Sequence, residues 1–121
     1  MTTLIQLQKL AETLWENYCE VYPRMVRFDV PTIEFNNRFT STAGICIVAD
    51  NKIQLGSKFF AAGFERQMCN VILPHELAHQ IDYNLNGWPK GNRWHGKTWI
   101  EIMIRTGQKP DTYHTMNIKK K

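Results

Sequence analysis

The clearest periodicity lies at the start of the chain. Leu4, Leu7, Leu10, Ala11, Leu14, Trp15, Tyr18, Val21 and Tyr22 recur at steps of three and four, the spacing of one face of an amphipathic helix, and Pro23 stops it. Gln8, Glu12, Glu16 and Glu20 fall on the opposite face, which is expected to meet solvent. The period then drops to two. Val26, Phe28 and Val30 alternate, as do Ile33 and Phe35, and both runs predict short strands separated by Pro31. The β-branched runs Thr42–Val48 and Lys52–Leu55 flank Asp50-Asn51 and predict a hairpin. Gly44 inside the first run predicts a bulge or a close backbone approach. Ser57 is expected to cap a helical turn carrying Phe59 and Phe60.

Helical spacing returns at Phe64, Met68, Val71, Ile72, His75 and His79 and reaches about Leu85. Pro74 lies in its middle and must either start a new helix or kink this one, because it lacks an amide donor. Residues Gly87–Asn92 read as a loop. A last helix is expected from about His95 to Thr106, with Trp99, Ile102 and Met103 inward and Gly107 as its stop. The order helix, strands, helix, loop, helix predicts a single α+β domain over residues 1–121.

Composition narrows the classes without changing that picture. With 121 residues, 43% hydrophobic and 21% charged, the chain suits one globular core. The longest apolar stretch, around Gly44–Ala49, is far short of the roughly 20 residues of a membrane span. The first residues lack the basic and apolar regions of a signal peptide, so a cytoplasmic protein is expected. Cys19, Cys46 and Cys69, odd in number and widely spaced, read as reduced thiols. The net charge of +4 is unevenly spread: residues 1–87 hold 7 basic and 9 acidic side chains, residues 88–121 hold 8 and 2. The surplus therefore sits in the last third, three of it in Lys119-Lys120-Lys121, where it could dock DNA.

His75-Glu76-Leu77-Ala78-His79 is an H-E-x-x-H sequence on a predicted helix. Residues four apart lie about 40° apart around the axis and about 6 Å along it, so both imidazoles reach one ion. Zinc takes neutral imidazole nitrogens in a tetrahedral shell and keeps a position for water when it is catalytic. Glu76 can lie beside that position and take a proton from the water. The third ligand must come from elsewhere. A metzincin arrangement would need Gly at 82 and His at 85, where the chain has Asp82 and Leu85. Glu101 and His95 remain. Glu101 falls on a polar face four residues before Arg105, which makes an ion pair the simpler reading. His95, followed by Gly96 at the start of the last helix, is the better candidate.

His75-Glu76-Leu77-Ala78-His79 followed by His95-Gly96-Lys97-Thr98-Trp99 resembles the SprT-like metalloprotease family, whose eukaryotic member is Spartan. Ser41-Thr42-Ala43-Gly44, Lys52-Ile53-Gln54-Leu55 and Val71-Ile72-Leu73-Pro74 resemble the segments leading to that motif, so the likeness spans about residues 30–115. The resemblance implies a compact zincin-like fold with a small antiparallel-type sheet packed on the metal-binding helix. It also implies Zn2+ on His75, His79 and His95, Glu76 as general base, and peptide-bond hydrolysis, in the family's better-known role of proteins bound or crosslinked to DNA. Family members commonly carry a cysteine-rich zinc ribbon or long DNA-binding extensions. This chain has no cysteine after Cys69, so targeting through those parts is not carried over.

The expected partners are thus a protein or peptide substrate and, through the basic last third, DNA, with no membrane and a monomeric state. The rival expectation is a non-catalytic, zinc-stabilised module that binds nucleic acid or protein; a third is a metal hydrolase of non-peptide bonds. Trp88 and Trp94 could wall a cleft or stack on bases, but packing against the core is the simpler expectation. The strand at Gly44–Val48 is either a sheet edge that pairs with substrate or an interior strand. Tyr113 and His114 could stabilise an oxyanion, although a disordered tail is the plainer reading, and residues 116–121 are expected to be a flexible basic tail.

Overall fold

The computed structural model describes residues 2–118 of the chain. Helix α1 (Leu4–Val21) begins at Thr3, whose hydroxyl accepts from the Gln6 amide while the Gln6 side chain accepts from the Thr3 amide, a reciprocal cap. Leu7, Ala11, Trp15 and Tyr18 are its buried stripe, as the periodicity requires. Gln8 is the exception on the polar face. Its side-chain amide donates to the Pro31 carbonyl at 3.0 Å and accepts from the Ile33 amide at 2.9 Å. It thereby covers backbone groups at the start of an edge strand that would otherwise lack partners.

The segment expected as a first strand forms none: Val26 falls in a 3₁₀ turn, Pro23–Arg27, and Phe28 to Val30 have no regular structure. Pro23 opens it with a fixed φ, Met25 takes the buried position, and Val26 is left 73% exposed. Strand β1 (Thr32–Asn36) follows, then β2 (Gly44–Ile47) and β3 (Lys52–Gly56). The hairpin is present: β2 and β3 pair antiparallel, joined by a 3₁₀ turn at Val48–Asp50 and by Asn51 in the left-handed conformation. The sheet is not antiparallel throughout, however. Its order is β1-β3-β2, and β1 runs parallel to β3 with Ile33 opposite Ile53. β2 takes one flank of β3, and β1 takes the other, running in the same direction as β3. That leaves β2 as an edge strand.

Helix α2 (Ser57–Ala61) buries Phe59 and Phe60. Gly56, not Ser57, occupies the cap position, and no side chain caps this helix. A single turn, α3 (Glu65–Gln67), runs into a π-helical stretch, Met68–Ile72, and then into α4 (Leu73–Asn86). Pro74 sits in the first turn of α4, where a missing donor is least costly, and the widened turn before it relieves the clash a proline imposes on the preceding turn. Helix α5 (Lys97–Arg105) buries Trp99, Ile102 and Met103 and ends at Gly107, whose φ of 82° an L side chain would strain.

Gly44 is a point of close approach. A Cβ there would meet Ile72 Cγ2 at 3.0 Å and Leu55 Cδ2 at 3.1 Å, so β2 lies directly against the approach to α4. Gly44→Val should therefore destabilise the protein by about 1–3 kcal/mol through overpacking. Urea unfolding measures this, and a loss below about 0.5 kcal/mol would mean that strand and helix separate freely.

Candidate metal centre

α4 carries His75 and His79 one turn apart, and the bend before α5 carries His95. Gly96 makes that bend possible: a Cβ on it would stand 3.0 Å from the Arg93 carbonyl, which accepts from the Gly96 amide at 3.1 Å. The three Nε2 atoms converge. His75 to His95 is 3.1 Å, and His79 lies 3.2 Å from each of the others. Nitrogens of a tetrahedral zinc shell with bonds of about 2.0–2.1 Å stand about 3.3–3.4 Å apart, so the donor set fits such an ion closely. Among the described residues this is the group of His, Cys, Asp and Glu side chains positioned to hold a metal, and it contains three ligands.

The electrostatics suit the same use. Burial, with the neighbouring His95, pushes His75 down to about 4, while the Asp111 backbone raises it slightly. Burial, with His75 and His95, pushes His79 down to about 3. Burial also lowers His95. The rings are neutral at pH 7 and their lone pairs are available. Glu76 is 7% exposed, and its carboxylate lies 3.8 Å from His75 Nε2. Burial drives it up to about 8, so without a nearby cation it holds its proton. The Cys46 thiol on β2 is raised as well, by burial and then by Glu76.

The family comparison bears directly on these residues. A model of the SprT-like family matches residues 9–120. The chain belongs to the SprT-like family. It is 34% identical over 93 residues to Protein SprT of Actinobacillus succinogenes, covering 76% of this chain and 52% of that one. It is also 34% identical over 79 residues to Protein SprT of Pasteurella multocida, covering 63% and 43%. The chain thus spans about half the length of the curated relatives it matches. No solved structure matches it significantly.

Within this SprT-like domain Trp99 has a larger part than helical periodicity assigns it. It is fully buried, stacks on His79 at 5.3 Å and 17°, and meets His75 and His95 edge-on at 4.9 and 4.7 Å. Its indole N–H points to the His75 carbonyl at 3.5 Å. Glu101 stands apart from the three histidines, exposed and 3.7 Å from Arg105 in the expected ion pair.

A cleft of about 1170 Å³ opens over the histidines, lined on one side by Thr40–Cys46 and on another by residues 111–118. Two expectations change here. Trp88 is not packed away: it is 63% exposed, edge-on to Tyr83 and to Trp94, and Trp94 lines the cleft 6.1 Å from His79. Tyr113 and His114 belong to the cleft wall rather than to a loose tail, and Met116 is buried in the core. The lysine run Lys119-Lys120-Lys121 lies outside the described residues. Among the described residues no helix is long and apolar enough to cross a membrane.

Proposed function

We propose that this protein is a zinc-dependent metalloendopeptidase of SprT type, with His75, His79 and His95 as the zinc ligands and Glu76 as the general base. The observation that carries this reading is the convergence of three neutral Nε2 atoms beside one buried carboxyl at the floor of an open cleft. A zinc ion there supplies a Lewis acid for the scissile carbonyl and acidifies water. Glu76 takes the proton from the attacking water and returns it to the leaving amine, so that the peptide bond breaks with a carboxylic acid and an amine as products. The edge strand β2 offers its outer backbone groups to an extended peptide alongside the histidines. A closed structural site would need a fourth protein ligand, and the cluster's three ligands favour the enzyme over a zinc-stabilised binding module.

The same reading takes residues 1–121 as one monomeric, cytoplasmic domain, supported by three free thiols. Its substrates are proteins, including those associated with or crosslinked to DNA. Support for the DNA contact comes from exposed Lys90, Arg93 and Lys97 on the segment that carries His95, next to the exposed ring of Trp88. The test is casein cleavage by zinc-loaded protein with and without single-stranded DNA. Zinc-dependent cleavage is expected, with a DNA effect that fades as salt rises. Stoichiometric zinc with no cleavage in either condition favours the binding module.

A further inference from the structure

Residues 111–118 follow the Gly107 turn, form no regular element, and line the cleft along their whole length. Apolar anchors hold their far end: Met116 is 9% exposed within the core, and Ile118 packs against it. The middle is held by His114. Its ring stands edge-on to Phe59 at 5.4 Å, and its two nitrogens are both engaged. The Met116 amide donates to Nδ1 at 3.1 Å, which leaves the proton on Nε2, and Nε2 donates to the Ser41 carbonyl at 2.7 Å.

Ser41 is 73 residues away, in the loop that enters β2. The bond therefore joins the two walls of the cleft, at the end where the edge strand begins. A polypeptide laid along β2 meets this bridge. A short peptide fits within the span of β2, whereas a longer chain must pass the point where the walls are joined. The bridge itself is weak: neutral hydrogen bonds of this kind contribute about 0.5–1.5 kcal/mol each, small enough to open thermally.

We propose that His114 is a latch, holding residues 111–118 as a strap across one end of the cleft, and that it selects against long or folded polypeptides until it opens. The proposal rests on the peptide-hydrolase reading. His114 is a specificity-determining residue here and takes no part in the chemistry. Only the unlatched fraction accepts a long chain, so the apparent affinity for such substrates is reduced by that fraction.

The experiment compares wild type, His114→Ala and His114→Gln, each shown by metal analysis to hold one zinc and by thermal melting to be folded. Casein and a four-residue peptide, no longer than β2, serve as substrates. In His114→Ala, kcat/KM for casein should rise about five- to tenfold, the size set by losing the one neutral hydrogen bond that joins the walls, while the short peptide changes less than about twofold. Extraction of zinc by an excess of chelator should accelerate by a similar factor, since the strap then uncovers the cleft. His114→Gln, which keeps a donor and an acceptor, should lie near the wild type. Equal casein-to-peptide ratios and equal extraction rates in zinc-loaded wild type and His114→Ala overturn the latch. A wild type that takes up no zinc overturns the hydrolase reading, and the latch with it.

Discussion

Glu76→Gln should bind one zinc per chain and lose proteolysis by about two to four orders of magnitude, the range expected when a positioned general base is removed. The amide has nearly the shape of the carboxyl and leaves His75, His79 and His95 untouched, so metal content separates loss of the base from loss of the site. Residual cleavage within about tenfold of the wild type would reassign the base. The same substitution has a second signature in metal-free protein. Glu76 ordinarily titrates near 4.5, and burial raises it to about 8 in the fold. The folded chain therefore keeps a proton that the unfolded chain has lost, and the contribution of Glu76 to stability is full below 4.5 and is lost as pH rises toward 8. Glutamine has no such loss. In the presence of a chelator, Glu76→Gln should become steadily more stable relative to wild type from about pH 5 to pH 8, read as a widening gap in urea midpoints. A constant gap across that range would mean that Glu76 is solvated in the fold.

The pair His75 and His79 with Glu76 beside them was legible from helical spacing, and His95 from the likeness of His95-Gly96-Lys97-Thr98-Trp99 to the family; the structure brings the three histidines together. The i,i+4 separation on α4 sets His75 and His79 on one face by helix geometry alone, and the Gly96 bend brings His95 to them. The α1 stripe and the β2–β3 hairpin were legible for the same reason, since each is decided by contacts a few residues apart. What was not legible depends on distant partners. The β1–β3 pairing joins strands that are distant in sequence, and neither its parallel direction nor its register is encoded in the alternation of Ile33 and Phe35. Val26, Phe28 and Val30 alternate like a strand, yet Pro23 and the burial of Met25 put Val26 in a 3₁₀ turn, and the chain stays irregular through Val30. Gln8 looks like a solvent residue until its amide meets the start of β1. His114 and Tyr113 carried no periodic signal, because residues 111–118 form no regular element and periodicity is a property of helices and strands. Met116, expected from the sequence to begin a flexible basic tail, is buried in the core instead.

Trp99→Ala should be the most damaging single substitution in the core near the site. Removing a fully buried aromatic ring costs about 3–5 kcal/mol when the surroundings cannot collapse, and three imidazoles held toward a common point have little freedom to do so. The loss has two parts that can be measured separately. Urea unfolding of metal-free protein reports the packing, and zinc competition titration reports ligand placement. The indole stacks on His79 and edges against His75 and His95, so without it the rings can turn away from the orientation that brings their Nε2 atoms within 3.2 Å. Removal of such outer support typically lowers metal affinity about 10- to 100-fold. Trp99→Phe retains an aromatic face beneath His79 but not the N–H aimed at the His75 carbonyl, and should recover most of the stability and part of the affinity. Zinc affinity in Trp99→Ala equal to that of the wild type, alongside a stability loss of about 3 kcal/mol or more, would mean that α4 and the Gly96 bend orient the ligands without the indole. Loss of both, partly restored by phenylalanine, makes Trp99 the shared floor on which helix α4 and the distal histidine are brought into register.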